Sequence, residues 1–248
     1  MTDRALYIAM TGASATLRAQ ASVSHNLANT DTVGFQATLS GTMAAPVQGE
    51  GLDARVAAEF RNLGTSQARG EIVNTGNALD VALQPDRWLA VQAADGGTAY
   101  TRAGNLQITP NGMVVTGTGL QVLGADGAPL AVPPHDSIGI ANDGTVSIVP
   151  QGQPASTIAQ AGRLGVYTAT QAQLARGDDG LMRAVPGVVP ALADGASVTP
   201  GALEGSNVEA TSMLVQMIQL ARQFETQVRV LHTADENARS SNSLLSSR

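Results

Sequence analysis

Each end of the chain carries an apolar heptad pattern, and the middle carries none. From Asp3 to Asn29 the positions Leu6, Met10, Ala13, Leu17, Gln20, Ser24 and Leu27 recur in alternating steps of four and three. That spacing keeps one face of an α-helix turned toward a partner. From Asn207 onward the same steps pick out Ala210, Leu214, Met217, Ala221, Phe224, Val228 and Leu231, followed by Asp235, Ala238, Asn242 and Leu245. At 1.5 Å per residue the two helices would reach roughly 40 and 55–60 Å. Two such helices at opposite ends are most simply paired with each other, and a coiled coil with unrelated chains is the competing arrangement. Between Ala5 and Asn29 the single full charge is Arg18. A solvated helix face normally carries many charges, so this helix reads as packed on several sides. The plainer alternative is a weakly amphipathic helix lying on one domain.

Local signals mark the helix ends. Ser206 followed by Glu209 fits a capping box opening the second helix, with Asn207 its first residue. Asn29 is placed to close the first helix, since Asn tolerates the left-handed conformation there. Gly34 would then permit a sharp turn, and Phe35, one of three Phe in the chain, would set an apolar anchor after it. An ordinary helix exit explains the same residues.

Between the helices Asp95-Gly96, Asn111-Gly112, Asp126-Gly127, Asp143-Gly144, Asp179-Gly180 and Asp194-Gly195 punctuate the sequence. These dipeptides supply the positive φ of tight hairpin turns. Short β-rich runs lie among them at 88–92, 106–109, 113–116, 137–140, 145–149 and 164–167. Such spacing predicts an all-β sandwich or barrel-like domain. The expected fold class is therefore α+β: long terminal helices paired as a coiled coil, with an inserted all-β domain. The expected divisions are an N-terminal helix within 1–35, an extended connection over 36–74 with room for one or two strands, a β-rich domain over 75–196, and a C-terminal helix within 203–248.

Composition narrows the chemistry. All fourteen basic residues are Arg, and the net charge is −6. Without Lys there is no Schiff-base chemistry and no P-loop lysine. The scattered Arg residues form no basic stripe, which argues against nucleic acid. With no Cys there is no disulfide, thiolate nucleophile or Cys-ligated zinc. His25, His135 and His232 lack a second His at helical ligand spacing, and Gly117-x-Gly119 lacks the third glycine of a dinucleotide fingerprint. Asp178-Asp179-Gly180 lacks the alternating carboxylates of a calcium loop. Aromatic residues make up 3%, so a deep aromatic-lined pocket is not expected. No run approaches the length needed to cross a bilayer, and the N-terminus lacks the apolar stretch of a secretory signal. The expectation is a protein that is not an enzyme, with no cofactor, metal, nucleic acid or direct membrane insertion.

Two end motifs resemble a known family. Ser24-His25-Asn26-Leu27-Ala28-Asn29-Thr30-Asp31-Thr32-Val33-Gly34-Phe35 is similar to the N-terminal signature of the bacterial flagellar rod and hook proteins. Leu203-Glu204-Gly205-Ser206-Asn207-Val208-Glu209 resembles the element that opens their C-terminal helix. In the middle, Trp88-Leu89-Ala90-Val91, Tyr100-Thr101-Arg102-x-Gly104-Asn105-Leu106 and Arg176-Gly177-Asp178-Asp179-Gly180 are also similar. Val33 stands where relatives often carry Pro or Thr. The resemblance covers about residues 3–40, 80–125 and 176–245. The opening Asp3-Arg4-Ala5-Leu6-Tyr7-Ile8-Ala9-Met10-Thr11-Gly12 looks most like the proximal rod members, the distal rod paralogue being the alternative.

The resemblance implies export through the flagellar type III apparatus without a cleaved signal, and residence in the rod of the basal body in the periplasmic space. It implies partners that are copies of the chain and other rod proteins, in a helical tube that transmits motor torque and surrounds the export channel. The terminal helices would form its inner layer, with the β-rich domain outside. Residues expected to carry assembly are Leu6, Met10, Leu17, Asn26, Leu27, Asn29, Gly34, Phe35, Ser206, Asn207, Leu214, Met217, Phe224, Val228 and Leu231. Of another class is a secreted adhesive or carbohydrate-binding β domain oligomerised by its C-terminal helix. A hydrolase using Asp and His stands furthest from the sequence.

Overall fold

Free of Pro and nearly free of charge, the N-terminal segment forms one unbroken helix, α1 (Thr2–Ala28). The computed structural model describes residues 2–46, 56–66 and 68–246, and it divides into two units. Unit 1 comprises residues 1–30, 37–64 and 208–248; unit 2 comprises 31–36 and 65–207.

In unit 1, α1 is followed by β1 (Thr38–Pro46) and β2 (Val56–Thr65), which pair as a two-stranded sheet within the stretch read as an extended connection. The long helix α2 (Ala210–Ser246) completes the unit. The last turn of α1 closes through hydrogen bonds. The Asn29 N–H donates to the Asn26 carbonyl (3.0 Å), Asn29 Nδ2 to the His25 carbonyl (2.8 Å), and Thr30 Oγ1 to the Leu27 carbonyl (2.7 Å). Asn29 satisfies orphan carbonyls without the left-handed backbone expected of it. The start of α2 also differs. The helix begins at Ala210 with Glu209 as its cap: the Glu209 carbonyl accepts the Met213 N–H (3.1 Å), and its carboxylate accepts Ser212 Oγ (2.7 Å). The capping box expected at Ser206 does not open the helix; the preceding Asn207 N–H instead donates to the Phe35 carbonyl (3.2 Å).

The coiled coil expected from the heptads is not what the chain forms. It folds as two terminal helices and mostly β strands in several small sheets. At one point where α1 and α2 meet the contact is polar: Thr16 Oγ1 donates to Gln227 Oε1 (3.0 Å), beside Gly12. α1 buries Ala13, which belongs to the expected seam, together with Ala15, Thr16, Val23 and Asn26, which lie beside it. Met10 (55% exposed), Leu17 (49%) and Leu214 (49%) stand outward from that contact. The side chains of Leu6, Ala238, Asn242 and Leu245 lie outside the described residues.

Unit 2 is built of antiparallel strands. In chain order they are β3 (Ile72–Asn74), β4 (Val81–Leu83), β5 (Arg87–Gln92), β6 (Thr98–Thr101), β7 (Leu106–Ile108), β8 (Val114–Thr116), β9 (His135–Ile140), β10 (Thr145–Pro150), β11 (Ala159–Arg163), β12 (Val166–Thr168), β13 (Leu174–Arg176), β14 (Met182–Ala184), β15 (Ala191–Leu192), β16 (Val198–Pro200) and β17 (Ala202–Glu204). The main sheet runs β13-β14-β6-β5-β12-β15, and a second runs β11-β10-β9. Three two-stranded sheets join β16 to β4, β17 to β3 and β7 to β8. The glycine of each expected turn dipeptide lies at φ between +69° and +85°.

β5 explains where the core sits. Trp88, Leu89, Ala90 and Val91 are all buried. Side chains alternate across a strand. Leu89 and Val91 therefore pack with Val81, Leu83, Val122, Leu164 and Val166, while Trp88 and Ala90 pack with Tyr100, Leu123, Leu174 and Met182. A continuous apolar run is what a strand covered on both faces requires. The Trp88 indole donates to the Ala169 carbonyl (3.0 Å), and Tyr100 meets Tyr167 edge-on at 5.7 Å.

Candidate functional site

In unit 2 the loop that follows α1 is clamped against the segment that leads into α2. The Gly34 N–H donates to the Glu204 carbonyl (2.7 Å), and the Asn207 N–H donates to the Phe35 carbonyl. Gly34 has φ +68°, and a Cβ there would lie 2.3 Å from the Arg102 carbonyl carbon and 2.5 Å from the Ala103 nitrogen. Only glycine permits both the left-handed backbone and that approach. Phe35 lies under Arg176, whose guanidinium carbon is 4.9 Å from the ring centroid and whose Nη2 donates to the Gln36 carbonyl (2.7 Å). Asn207 Nδ2 donates to the Ala68 carbonyl (2.7 Å).

Behind the loop lies a buried ion pair between Arg102 (3% exposed side chain) and Glu204 (2%). Arg102 Nε donates to Glu204 Oε2 at 3.1 Å, and Nη2 reaches the same oxygen. The remaining donors go to the carbonyls of Leu83 (3.1 Å), Gln84 (3.4 Å) and Arg87 (2.8 Å). All five guanidinium N–H groups are thus used, which is the condition for burying an arginine. Trp88 stacks 5.7 Å from the guanidinium carbon, and Arg69 approaches Glu204 at 3.7 Å.

Unit 1 presents different chemistry. Most exposed large apolar side chains among the described residues belong to it, including Tyr7, Met10 and Leu17 on α1 and Leu214, Val215 and Ile218 on α2. An apolar groove of about 700 Å³ runs between α1, the β1–β2 sheet and the middle of α2. Asn26 is not part of this surface. It is buried in a reciprocal pair with the start of β1, its Nδ2 donating to the Thr38 carbonyl and its Oδ1 accepting the Thr38 N–H, both at 2.9 Å.

The expected assembly residues thus divide by place. Met10, Leu17 and Leu214 are exposed; Leu27, Met217, Phe224, Val228 and Leu231 are half-buried in unit 1. Asn26 and Asn29 fasten the end of α1, while Gly34, Phe35 and Asn207 belong to the clamp, where Ser206 is half-buried. Sequence reasoning missed Arg102, Glu204 and Arg176 as partners, although all three lie in quoted motifs. Nothing local distinguishes a buried arginine from a solvated one.

Comparison with known proteins bears on both surfaces. Three family models match in chain order: the flagella basal body rod protein over residues 6–36, the flagellar hook protein FlgE/F/G D1 domain over 82–148, and the flagellar basal body rod FlgEFG protein C-terminal region over 199–244. The flagellar basal-body rod protein FlgF of Escherichia coli K12 is 44% identical over 250 residues, covering 98% of this chain and 99% of the relative. The chain belongs to the flagellar basal-body rod protein family. FlgF of Salmonella typhimurium is 43% identical over the same coverage. The rod protein FlgG of Bacillus subtilis is 29% identical over 86% of this chain, a more distant relationship. The chain is a structural, FlgF-like rod subunit of the flagellar basal body. Its clamp falls on the family's own boundaries: Gly34 and Phe35 end the first matched region, and Glu204 and Asn207 lie near the start of the last. No helix among the described residues is long and apolar enough to cross a membrane.

Proposed function

We propose that this FlgF-like subunit polymerises, with copies of itself and other rod proteins, into a helical tube that transmits motor torque and surrounds the export channel in the periplasmic space. Its contribution is structural rather than catalytic, and it reaches the rod through the flagellar type III apparatus without a cleaved signal. One observation carries this reading: large apolar side chains stand exposed along both helices of unit 1, while unit 2 buries its own core. Contiguous apolar patches of this kind mark interaction surfaces. The low charge of α1 supports the same reading, since a helix covered by neighbours must leave water on several sides at little desolvation cost.

Hydroxyl-radical footprinting tests it. Tyr7, Met10 and Met43 are expected to oxidise readily in the isolated chain and to be protected in purified basal bodies. Equal reactivity in both states would show that assembly leaves unit 1 open to solvent and would contradict the proposal.

A further inference from the structure

One of the turn dipeptides in unit 2 differs from the rest. Asp-Gly occurs five times, twice within the same tetrapeptide, Ala-Asp-Gly-Ala, at 125–128 and 193–196. Asp-Gly is prone to succinimide formation, because glycine puts no side chain in the way of its own nitrogen. In four of the five the fold ties up both reacting groups. The nitrogen is held: the Gly96 N–H donates to the Ala93 carbonyl (2.9 Å), that of Gly127 to Gly124 (3.0 Å), that of Gly144 to Ala141 (2.9 Å) and that of Gly180 to Gly177 (3.0 Å). The carboxylate is held too, turned toward the N–H two residues on. Asp95 Oδ1 accepts from Gly97 (2.9 Å), Asp126 Oδ1 from Ala128 (3.1 Å), Asp143 Oδ1 from Thr145 (3.0 Å) and Asp179 Oδ1 from Leu181 (3.2 Å). The Gly97 N–H at Asp95, the Thr145 N–H at Asp143 and Arg183 at Asp179 also hold these carboxyls below their ordinary range, in the ionised form that reacts slowly.

Asp194-Gly195 has neither restraint. Among the described residues nothing accepts the Gly195 N–H or donates to the Asp194 carboxylate, and both residues are exposed. The chain is anchored on either side of them. The Ala193 N–H donates to the Val166 carbonyl (2.8 Å), and Arg163 Nη2 donates to the Ala193 carbonyl (2.8 Å). Beyond the loop, the N–H groups of Ser197 and Val198 share the Asn142 carbonyl (2.8 and 3.0 Å). Gly195 has φ +69°, within the range of the other turn glycines, so its own backbone angle does not set it apart. We infer that Asp194 is a site of spontaneous conversion to isoaspartate. The Gly195 nitrogen attacks the carbon of the protonated Asp194 side-chain carboxyl. An N–C bond forms, the nitrogen gives up its proton, and the carboxyl hydroxyl leaves with it as water, closing a five-membered succinimide. Solvent water then opens the ring. Attack at the former main-chain carbonyl breaks its bond to the Gly195 nitrogen and leaves isoaspartate, with no net change in mass. The main chain becomes one methylene longer between the anchored Ala193 and Ser197, and the carboxylate moves to Cα. The inference stands on unit 2 alone and does not depend on how the subunit assembles.

The repeated tetrapeptide makes the test internal, because Asp126 and Asp194 have the same immediate neighbours and differ in how the fold holds them. The isolated full-length chain is incubated in warm, mildly acidic buffer, once folded and once in concentrated urea. Isoaspartate is then read site by site by peptide mass spectrometry with electron-transfer fragmentation, which separates the two isomers despite their equal mass. Where one hydrogen bond must open first, the reaction slows about five-fold, the equivalent of ~1 kcal/mol. In the folded chain, isoaspartate at 194 is therefore expected to form at least about five-fold faster than at 126. In urea the two sites are expected to react alike. Equal rates in the folded chain would overturn the inference. So would a difference that persists undiminished in urea, since it would owe nothing to the fold. Gly195→Ala places its new Cβ where nothing lies within 4 Å, and should suppress the product at 194 several-fold while leaving 126 unchanged. Undiminished product at 194 would show that the Gly195 nitrogen is not the nucleophile. The comparison of 194 with 126 in the parent chain does not depend on this variant.

Discussion

Gly34 is where the clamp can be perturbed with the least ambiguity. Replacing it with Ala at φ +68° imposes a left-handed backbone on an L residue, about 1–2 kcal/mol. The new Cβ meets main-chain atoms of Arg102 and Ala103 at 2.3–2.5 Å. Those atoms belong to a backbone pinned by the Arg102–Glu204 pair, so no flexible side chain can give way. Ordinary contact requires a retreat of roughly 1 Å. That shift breaks the Gly34 N–H to Glu204 carbonyl bond, a further cost of about 1 kcal/mol. The total of about 3 kcal/mol corresponds to a fall in Tm of about 6–12 °C for a chain of this size. Gly76→Ala supplies the control, because Gly76 has nearly the same φ, +69°, but nothing within 4 Å of a built Cβ. It should lose about 1–2 kcal/mol from the backbone alone. Thermal or urea unfolding of the two variants beside the parent isolates the effect of close approach. If Gly34→Ala and Gly76→Ala destabilise equally, the clamp does not constrain the chain as argued.

Three further perturbations follow from the same geometry. Arg102→Met should destabilise by about 3 kcal/mol, because it leaves the buried Glu204 carboxylate with only Arg69 at 3.7 Å, and Arg102→Met with Glu204→Leu should recover most of the loss in urea unfolding. Asn26→Ala removes both hydrogen bonds to the Thr38 main chain, costing about 1–3 kcal/mol, with faster amide hydrogen exchange at Thr38 as the reporter. The Arg183 network carries a pH signature. The Gly97 backbone N–H and then Arg183 hold the Asp95 carboxyl below its ordinary value, and Arg183 does the same for Asp179. A depressed folded-state pKa contributes stability above the unfolded value, and this is lost as pH falls below about 4 through the folded pKa. Arg183→Gln should raise the Asp179 pKa more than that of Asp95 in an NMR titration; no change at Asp179 would refute the assignment.

Features set by neighbouring residues were legible in the sequence. The turn glycines, the extent of α1 and the strand at 88–92 each follow from a local pattern that tertiary structure has no reason to override. How far the outward side of α2 is apolar was harder to read. Met213, Leu214, Val215, Met217, Ile218 and Leu220 surround most of the helix, so a heptad can be threaded through more than one set of positions. Of the expected seam Leu214 stands open, whereas Met217, Ala221, Phe224, Val228 and Leu231 are half-buried. The β1–β2 pair was foreseen only as room for one or two strands, because Ala, Gly and Asn dilute its β-branched residues and blur the alternation. The clamp joins residues more than a hundred positions apart, and no periodicity reports that Arg102 will find Glu204. The family motifs mark those positions without saying what they touch.

The central claim is that the chain is a structural part of the rod. Electron microscopy of basal bodies from an in-frame deletion strain tests it most directly, with swimming restored from a plasmid as the control. The account predicts rods that are missing or that stop before their distal segment, together with loss of swimming. Complete rods in swimming cells would contradict it.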